Sequence, residues 1–178
     1  VSLRNITTLA LVLRKTNFSD FDIIFSLLSN DLGKISAIAK GVRRIKSKKA
    51  GHLDLGAVSK VYLSKGKNMF LITQAETNYS TNTVKEDFNL KFGVMETLEV
   101  LNAIPIEEYQ AKQYLELYKN FLNNLNHGDL ESALLDFYLG VFKLMGLWKE
   151  ELESLALAGL RAKFEGVLET PLKSGKIK

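Results

Sequence analysis

Along the first eighty residues, apolar positions come in short runs with stretches of period two, broken by turn residues rather than helix caps. That pattern predicts strands. Leu9 to Lys15 is the first, and Asp22 to Leu28 the second, with Asn17-Phe18-Ser19-Asp20 as the turn between them. Asn30-Asp31-Leu32-Gly33 turns into a third strand, Lys34 to Lys40, where Ile35, Ala37 and Ala39 alternate with Ser36 and Ile38. Ala57 to Ser64 is the fourth, and Lys65-Gly66-Lys67-Asn68 is a hairpin-type turn into the fifth, Met69 to Ala75. Five short strands, with one longer connection between the third and fourth, have the count and spacing of an OB-like barrel; an SH3-like barrel is the nearest competitor.

After Thr77 the period becomes helical. Asp87 to Ala103 repeats its pattern at Phe88, Phe92, Met95, Leu98 and Leu101 or Asn102, and Pro105 ends it. Glu107 to Leu125 places Tyr114, Leu115, Tyr118, Phe121, Leu122 and Leu125 on one broad face. Asn126-His127-Gly128 breaks that helix, and Asp129 is placed to cap the next. Leu130 to Met145 is apolar nearly all round, which predicts central burial, and Gly146 fits its C′ position. Shorter helices are expected over Lys149 to Ala158 and Gly159 to Leu168. The expected fold class is therefore α+β: a five-stranded OB-fold β-barrel over residues 1–80, then an all-α helical domain over 81–178.

Composition changes this picture little until the charge is localised. The 178 residues are 46% hydrophobic and 25% charged with 2 Pro, the make-up of a folded globular chain rather than a disordered one. The net charge of +4 hides two opposed blocks. Residues 34–67 hold ten basic side chains (Lys34, Lys40, Arg43, Arg44, Lys46, Lys48, Lys49, Lys60, Lys65, Lys67) against Asp54 alone, a balance of +9. Residues 68–169 hold 8 basic and 16 acidic ones, a balance of −8. Clustered Lys and Arg gain affinity for a polyanion by releasing its condensed counterions, so the first block implies a nucleic-acid partner. A solvated lysine-rich loop is the competing reading.

The absence of cysteine removes disulfides, thiolate metal sites and thiol nucleophiles, and fits a reducing cytoplasm. The start of the chain lacks the unbroken apolar run of a signal peptide, and no stretch reaches the ~20 apolar residues of a membrane helix, so a soluble protein is expected.

Candidate chemistry concentrates in Lys40-Gly41-Val42-Arg43-Arg44-Ile45-Lys46-Ser47-Lys48-Lys49-Ala50-Gly51. Arginines can bind phosphate through two N–H groups, Ser47 can donate a hydrogen bond, and glycines let the chain approach a backbone closely. Tyr62 and Phe70 are candidates to stack on unpaired bases, with core packing as the competing role. Asp20 and Asp22 form an Asp-x-Asp pair better suited to turn capping than to a metal. His52 and His127 lack metal or base spacing and are expected at the surface, and Trp148 is expected to pack. No phosphate loop, Gly-x-Ser-x-Gly, dinucleotide fingerprint or zinc spacing is present, so no catalytic residue, metal or cofactor is assigned and no enzyme is expected.

Several segments resemble one family in order and spacing. They are Phe18-Ser19-Asp20-Phe21-Asp22, Asp31-Leu32-Gly33-Lys34, Ala39-Lys40-Gly41-Val42-Arg43-Arg44 with Lys46-Ser47, and Gln74-Ala75-Glu76. Together they are similar to the N-terminal OB domain of the RecO family. In the helical half, residues 137–147 resemble the family's Phe-Glu-x-x-x-Leu-x-x-x-Gly-Tyr helix, and Pro171-Leu172-Lys173-Ser174 resembles its Leu-Lys-Ser ending. The resemblance implies a recombination mediator in DNA repair. Such a protein binds single- and double-stranded DNA, anneals complementary strands, and with RecR promotes RecA loading on DNA coated by single-strand-binding protein. It maps the DNA surface to Lys40, Arg43, Arg44 and Lys46; Lys34, Lys48, Lys49, Lys65 and Lys67 join by charge.

Two departures stand out. Many members carry a cysteine zinc motif after the Gly-Tyr position, where this chain runs Leu147-Trp148-Lys149 without cysteine. Glu131 and Asp136 occupy the start of the central helix where members tend to be basic, which moves contact with the tail of single-strand-binding protein to Arg161 and Lys163. An OB-fold protein-protein adaptor and an RNA-binding protein are the alternatives, the latter predicting a preference for the 2′-hydroxyl.

Overall fold

The computed structural model describes residues 5–79, 87–127 and 129–174, without the side chains of Asn126 and His127. The helix-breaking role expected of Gly128 and the surface position expected of His127 lie outside the described residues. The chain divides into two compact units, Val1–Thr81 with Ile106–Leu115, and Asn82–Pro105 with Glu116–Lys178.

In the first unit five strands, β1 (Ile6–Asn17), β2 (Ile23–Ser29), β3 (Gly33–Ala39), β4 (Val58–Lys65) and β5 (Phe70–Tyr79), close into a barrel in the order β1-β2-β3-β5-β4. β1 is longer than its hydrophobic run because it pairs with two neighbours, Ile6 to Leu11 with β4 and Ala10 to Asn17 with β2. A register shift between Val12 and Arg14 bends it from one partner to the other. Closure rests on a short parallel contact, Ala37 opposite Phe70 and Ile38 opposite Leu71. Inward positions fill the interior with Ala10, Val12, Phe25, Leu27, Ala37, Val61, Leu63 and Ile72. Segment 106–115 belongs to this unit: Glu108 lies 3.3 Å from where a Cβ on Gly33 would stand, and Gly33 has φ +68°.

The second unit contains α1 (Phe88–Ala103), most of α2 (Ala111–His127), α3 (Leu130–Leu144) and α4 (Leu157–Leu168). Asp87 caps α1 by accepting from the amides of Asn89 and Leu90, and Asp129 caps α3 by accepting from Ser132. Gly146 (φ +71°) closes α3 as expected, its amide bonding Lys143 and that of Leu147 bonding Phe142. A file of rings links α2, α3 and α4: Phe121 to Phe137 at 5.7 Å, Phe137 to Tyr138 at 6.1 Å, and Tyr138 to Phe164 at 5.7 Å.

Two helical expectations are corrected. On α1 the buried face is Val94, Thr97, Leu98 and Leu101 with Glu96, while Phe88 and Met95 are exposed. Leu98 and Leu101 are buried as expected, but the rest of the face is shifted toward Glu96, whose charge is met inside the unit. Tyr138 donates to its Oε1 at 2.7 Å, and Arg161 binds both oxygens at 2.6 and 2.7 Å. The helix expected over Lys149 to Ala158 is a 3-10 segment, Glu150–Ser154, and α4 begins before Gly159. Three glutamates in five residues repel one another along so short a helix, and only Leu152 is buried to hold it.

The Leu-Lys-Ser segment is also fixed by carboxylates. Glu165 accepts from the Leu172 amide, and Glu99 accepts from the amides of Lys173 and Ser174 and the Ser174 hydroxyl. Burial alone would raise the Glu99 pKa, but these donors and the Lys173 charge bring it below the ordinary value.

Candidate nucleic-acid interface

The basic connector between β3 and β4 is anchored by its own apolar residues. Val42 and Leu53 are buried at 3% and 0% exposure and join the barrel core, so the segment between them is held at both ends. A freely solvated lysine-rich loop would have no such anchors. Further ties fix it: Lys15 pairs with Asp54 at 3.3 Å, Ser59 donates to the His52 carbonyl, and the half-buried His52 bonds Thr77 of β5.

Its leading edge is joined to the β1–β2 turn. Asp22 Oδ1 accepts the Gly41 amide at 2.8 Å, the Arg43 amide donates to the Phe21 carbonyl at 3.1 Å, and Arg43 Nη1 reaches the Ser19 carbonyl at 3.4 Å. The Arg44 guanidinium lies 5.0 Å from the centroid of the Phe21 ring. The Asp22 carboxylate thus holds the connector rather than capping its own turn, which is closed through the Asp22 carbonyl. Gly41 is required by its φ of +65° and by its bond to Asp22 rather than by an open approach to a ligand.

Lys40, Arg43, Arg44, Lys46 and Lys48 are all exposed on this connector. Lys49 is not equivalent. Its Nζ donates to the carbonyls of Lys40 and Ile72, both at 3.2 Å, and burial lowers its pKa, partly offset by the charge of Asp22. Ser47 Oγ is buried and has no hydrogen-bond partner among the described residues, so as it stands it does not present a donor to a phosphate.

The remaining basic candidates lie elsewhere on the barrel. Because β3 and β5 run parallel with Ala37 beside Phe70, the exposed Lys65 and Lys67 on the turn before Phe70 lie toward the Lys34 end of β3. The connector leaves from the opposite end. Lys34 is half-buried, and burial pushes its pKa down to about 8. The charge block is therefore divided between two ends of the barrel.

The aromatic expectations shift as well. Phe70 packs against the barrel core, and Tyr62 is half-buried, with its hydroxyl donating to Glu76 and Lys60 Nζ 5.5 Å from its ring centroid. Phe18 (63%) and Phe21 (48%) on the β1–β2 turn are exposed aromatics, and Ile45 of the connector is fully exposed. The sequence places Phe18 in the turn and both rings in the segment that carries the family resemblance, without giving either a stacking role. The available signal was that two phenylalanines inside a tight turn have no strand face on which to be buried.

In the helical unit, Arg161 is held by Glu96 through two hydrogen bonds and Lys163 pairs with Glu151 at 3.1 Å. The alternative tail-binding pair is thus engaged within the unit. Trp148 is 40% exposed, with Lys143 Nζ 5.5 Å from its ring centroid. Among the described residues, no group of three or more His, Asp or Glu gathers to hold a metal. No helix among them is long and apolar enough to cross a membrane.

A closed five-stranded barrel with an anchored basic connector is the make-up of an OB-fold protein. Residues 3–81 match the family described as Recombination protein O N terminal, and through this domain the chain belongs to the RecO family. It is 33% identical over 131 residues to DNA repair protein RecO of Dehalococcoides mccartyi strain CBDB1, covering 74% of this chain and 52% of that protein. RecO of Acetivibrio thermocellus is 30% identical over 122 residues, covering 68% of this chain and 49% of that protein. The chain thus spans about half the length of these relatives.

Proposed function

We propose that the chain acts in DNA repair as a recombination mediator. In this reading it binds single- and double-stranded DNA, anneals complementary strands, and with RecR promotes RecA loading on DNA coated by single-strand-binding protein. Residues 1–80 carry the DNA surface and residues 81–178 the partner-facing module, working in the cytoplasm without a cofactor or a catalytic step. The DNA surface comprises Lys40, Arg43, Arg44, Lys46 and Lys48 on the connector, supplemented by Lys34, Lys65 and Lys67 at the other end of the barrel. Lys49 contributes to it by shaping the connector.

The observation that carries this reading is the anchored connector: five exposed cations on a segment fixed by Val42, Leu53 and Asp22. Basic side chains on a fixed support neutralise phosphates of two strands together, lowering their repulsion so that complementary bases meet. Annealing of complementary fluorescent oligonucleotides over a salt series tests it. With about five phosphates contacted, single-strand affinity falls with a log-log slope of roughly −3.5. Arg43→Glu with Arg44→Glu abolishes annealing while circular dichroism stays unchanged. A wild-type chain that neither binds nor anneals DNA overturns the reading.

A further inference from the structure

We infer that the β1–β2 turn and the connector form a base-reading ridge, in which Phe18 and Phe21 stack on unpaired bases while Arg43 and Arg44 hold the flanking phosphates. The inference rests on the DNA-binding reading above and names the ligand of its central site as unpaired strand.

Four observations carry it. Phe18 and Phe21 are large apolar side chains exposed at 63% and 48%, whereas the inward-facing residues of the barrel are buried. They stand on a turn that the basic connector is bonded to, through Asp22 to Gly41, Phe21 to Arg43 and Ser19 to Arg43. The turn is itself closed, because the amides of Phe18 and Ser19 both donate to the Asp22 carbonyl, so the two rings are presented on a fixed support. The Arg44 guanidinium lies over the Phe21 ring, 5.0 Å from its centroid, so a base stacks either on the opposite face or in exchange for that cation, which stays at hand for the flanking phosphate.

Apolar surface exposed next to like charges does not favour a second copy of this basic rim, because the cations repel. A single nucleic-acid strand supplies both complements in one molecule: π-faces for the rings and phosphates for the guanidinium groups. Duplex DNA offers only its backbone here, since its bases are already stacked. The ridge therefore favours single strands and engages bases freed at a junction or an annealing front.

The test compares two fluorescein-labelled oligomers of equal length and charge, oligo-dT and an abasic strand with the same phosphates and no bases. Wild type is expected to bind oligo-dT about tenfold or more tightly than the abasic strand. Phe18→Ala with Phe21→Ala should bring oligo-dT down to the abasic level, leaving abasic affinity, its salt slope and the circular dichroism unchanged. Phe21→Trp should retain the preference and show indole quenching on oligo-dT beyond any change from Trp148 in wild type.

Equal binding of both strands by wild type overturns stacking while leaving the phosphate-binding reading intact. The same follows if the double alanine variant keeps the wild-type preference. Parallel loss of both ligands in that variant, with fold intact, would show that the rings only hold the connector in place, and would also overturn the inference. If wild type binds neither strand, the DNA-binding reading fails with it.

Discussion

Asp22 and Gly41, nineteen residues apart, are joined by a 2.8 Å hydrogen bond from the Gly41 amide to the Asp22 carboxylate, and this bond fixes where the basic connector leaves the barrel. An ionised acceptor makes it stronger than a neutral bond, and its partly buried position limits competition from water. Asp22→Ala is expected to cost about 1 to 2 kcal/mol in urea unfolding. Oligonucleotide affinity should fall in parallel although no cation is removed. Gly41→Ala, forced to φ +65°, should cost about 1 kcal/mol by strain while keeping the carboxylate. A Gly41 amide whose hydrogen exchange is unchanged in Asp22→Ala would contradict the anchoring role.

The buried cluster of Glu96, Tyr138 and Arg161 gives a second prediction. Arg161→Met leaves a carboxylate that is 3% exposed with only the Tyr138 hydroxyl, and is expected to destabilise the helical unit by about 3 kcal/mol. Adding Glu96→Leu should recover much of that loss, since removing both partners leaves no uncompensated charge. A double-mutant cycle by thermal unfolding measures the coupling. Additive losses would show that the pair is not coupled.

These two relationships mark where sequence reading succeeds and where it stops. The barrel was legible because short alternating runs and the turns at Asn30 to Gly33 and Lys65 to Asn68 are local signals, and each strand falls close to its expected place. The face of α1 was not legible: Glu96 is buried by partners 42 and 65 residues away, and no window on the helix contains them. The same distinction applies to the site. Charge located the connector, but a lysine such as Lys49 that bonds two carbonyls reads no differently from an exposed one such as Lys48. The exposure of Phe18 and Phe21 was not legible, since it follows from a barrel core that other residues already fill.

Lys34 predicts a rise in stability with alkaline pH. Its pKa is about 8 in the folded chain against an ordinary 10.5, so between those values the unfolded chain binds more protons and folding gains as pH increases. Below about pH 8 both states are protonated and the full penalty of burying the charge applies. Allowing for solvent screening of a half-exposed side chain, the gain from pH 7.5 to 10 is about 1 kcal/mol. Lys34→Met should remove this dependence, measured by urea unfolding at each pH. Binding of DNA near Lys34 should also take up a proton at pH 9, visible as a buffer-dependent heat in calorimetry; its absence would place Lys34 outside the DNA surface.

Lys48 and Lys49 are adjacent in sequence yet are expected to respond to substitution in opposite ways. Lys48 is exposed, so Lys48→Met should leave unfolding within about 0.5 kcal/mol of wild type. If its charge meets a phosphate, the salt slope for single strands should shrink by about 0.7. Lys49 bonds the carbonyls of Lys40 and Ile72, tying the connector to β5, so Lys49→Met should cost about 1 to 2 kcal/mol of stability. Its effect on DNA should be a weaker affinity with an unchanged salt slope, because the lost interaction is internal. Measuring unfolding and salt dependence on both variants separates the two roles. A reduced slope in Lys49→Met, with stability preserved, would instead make Lys49 a phosphate contact that releases its carbonyls when DNA binds.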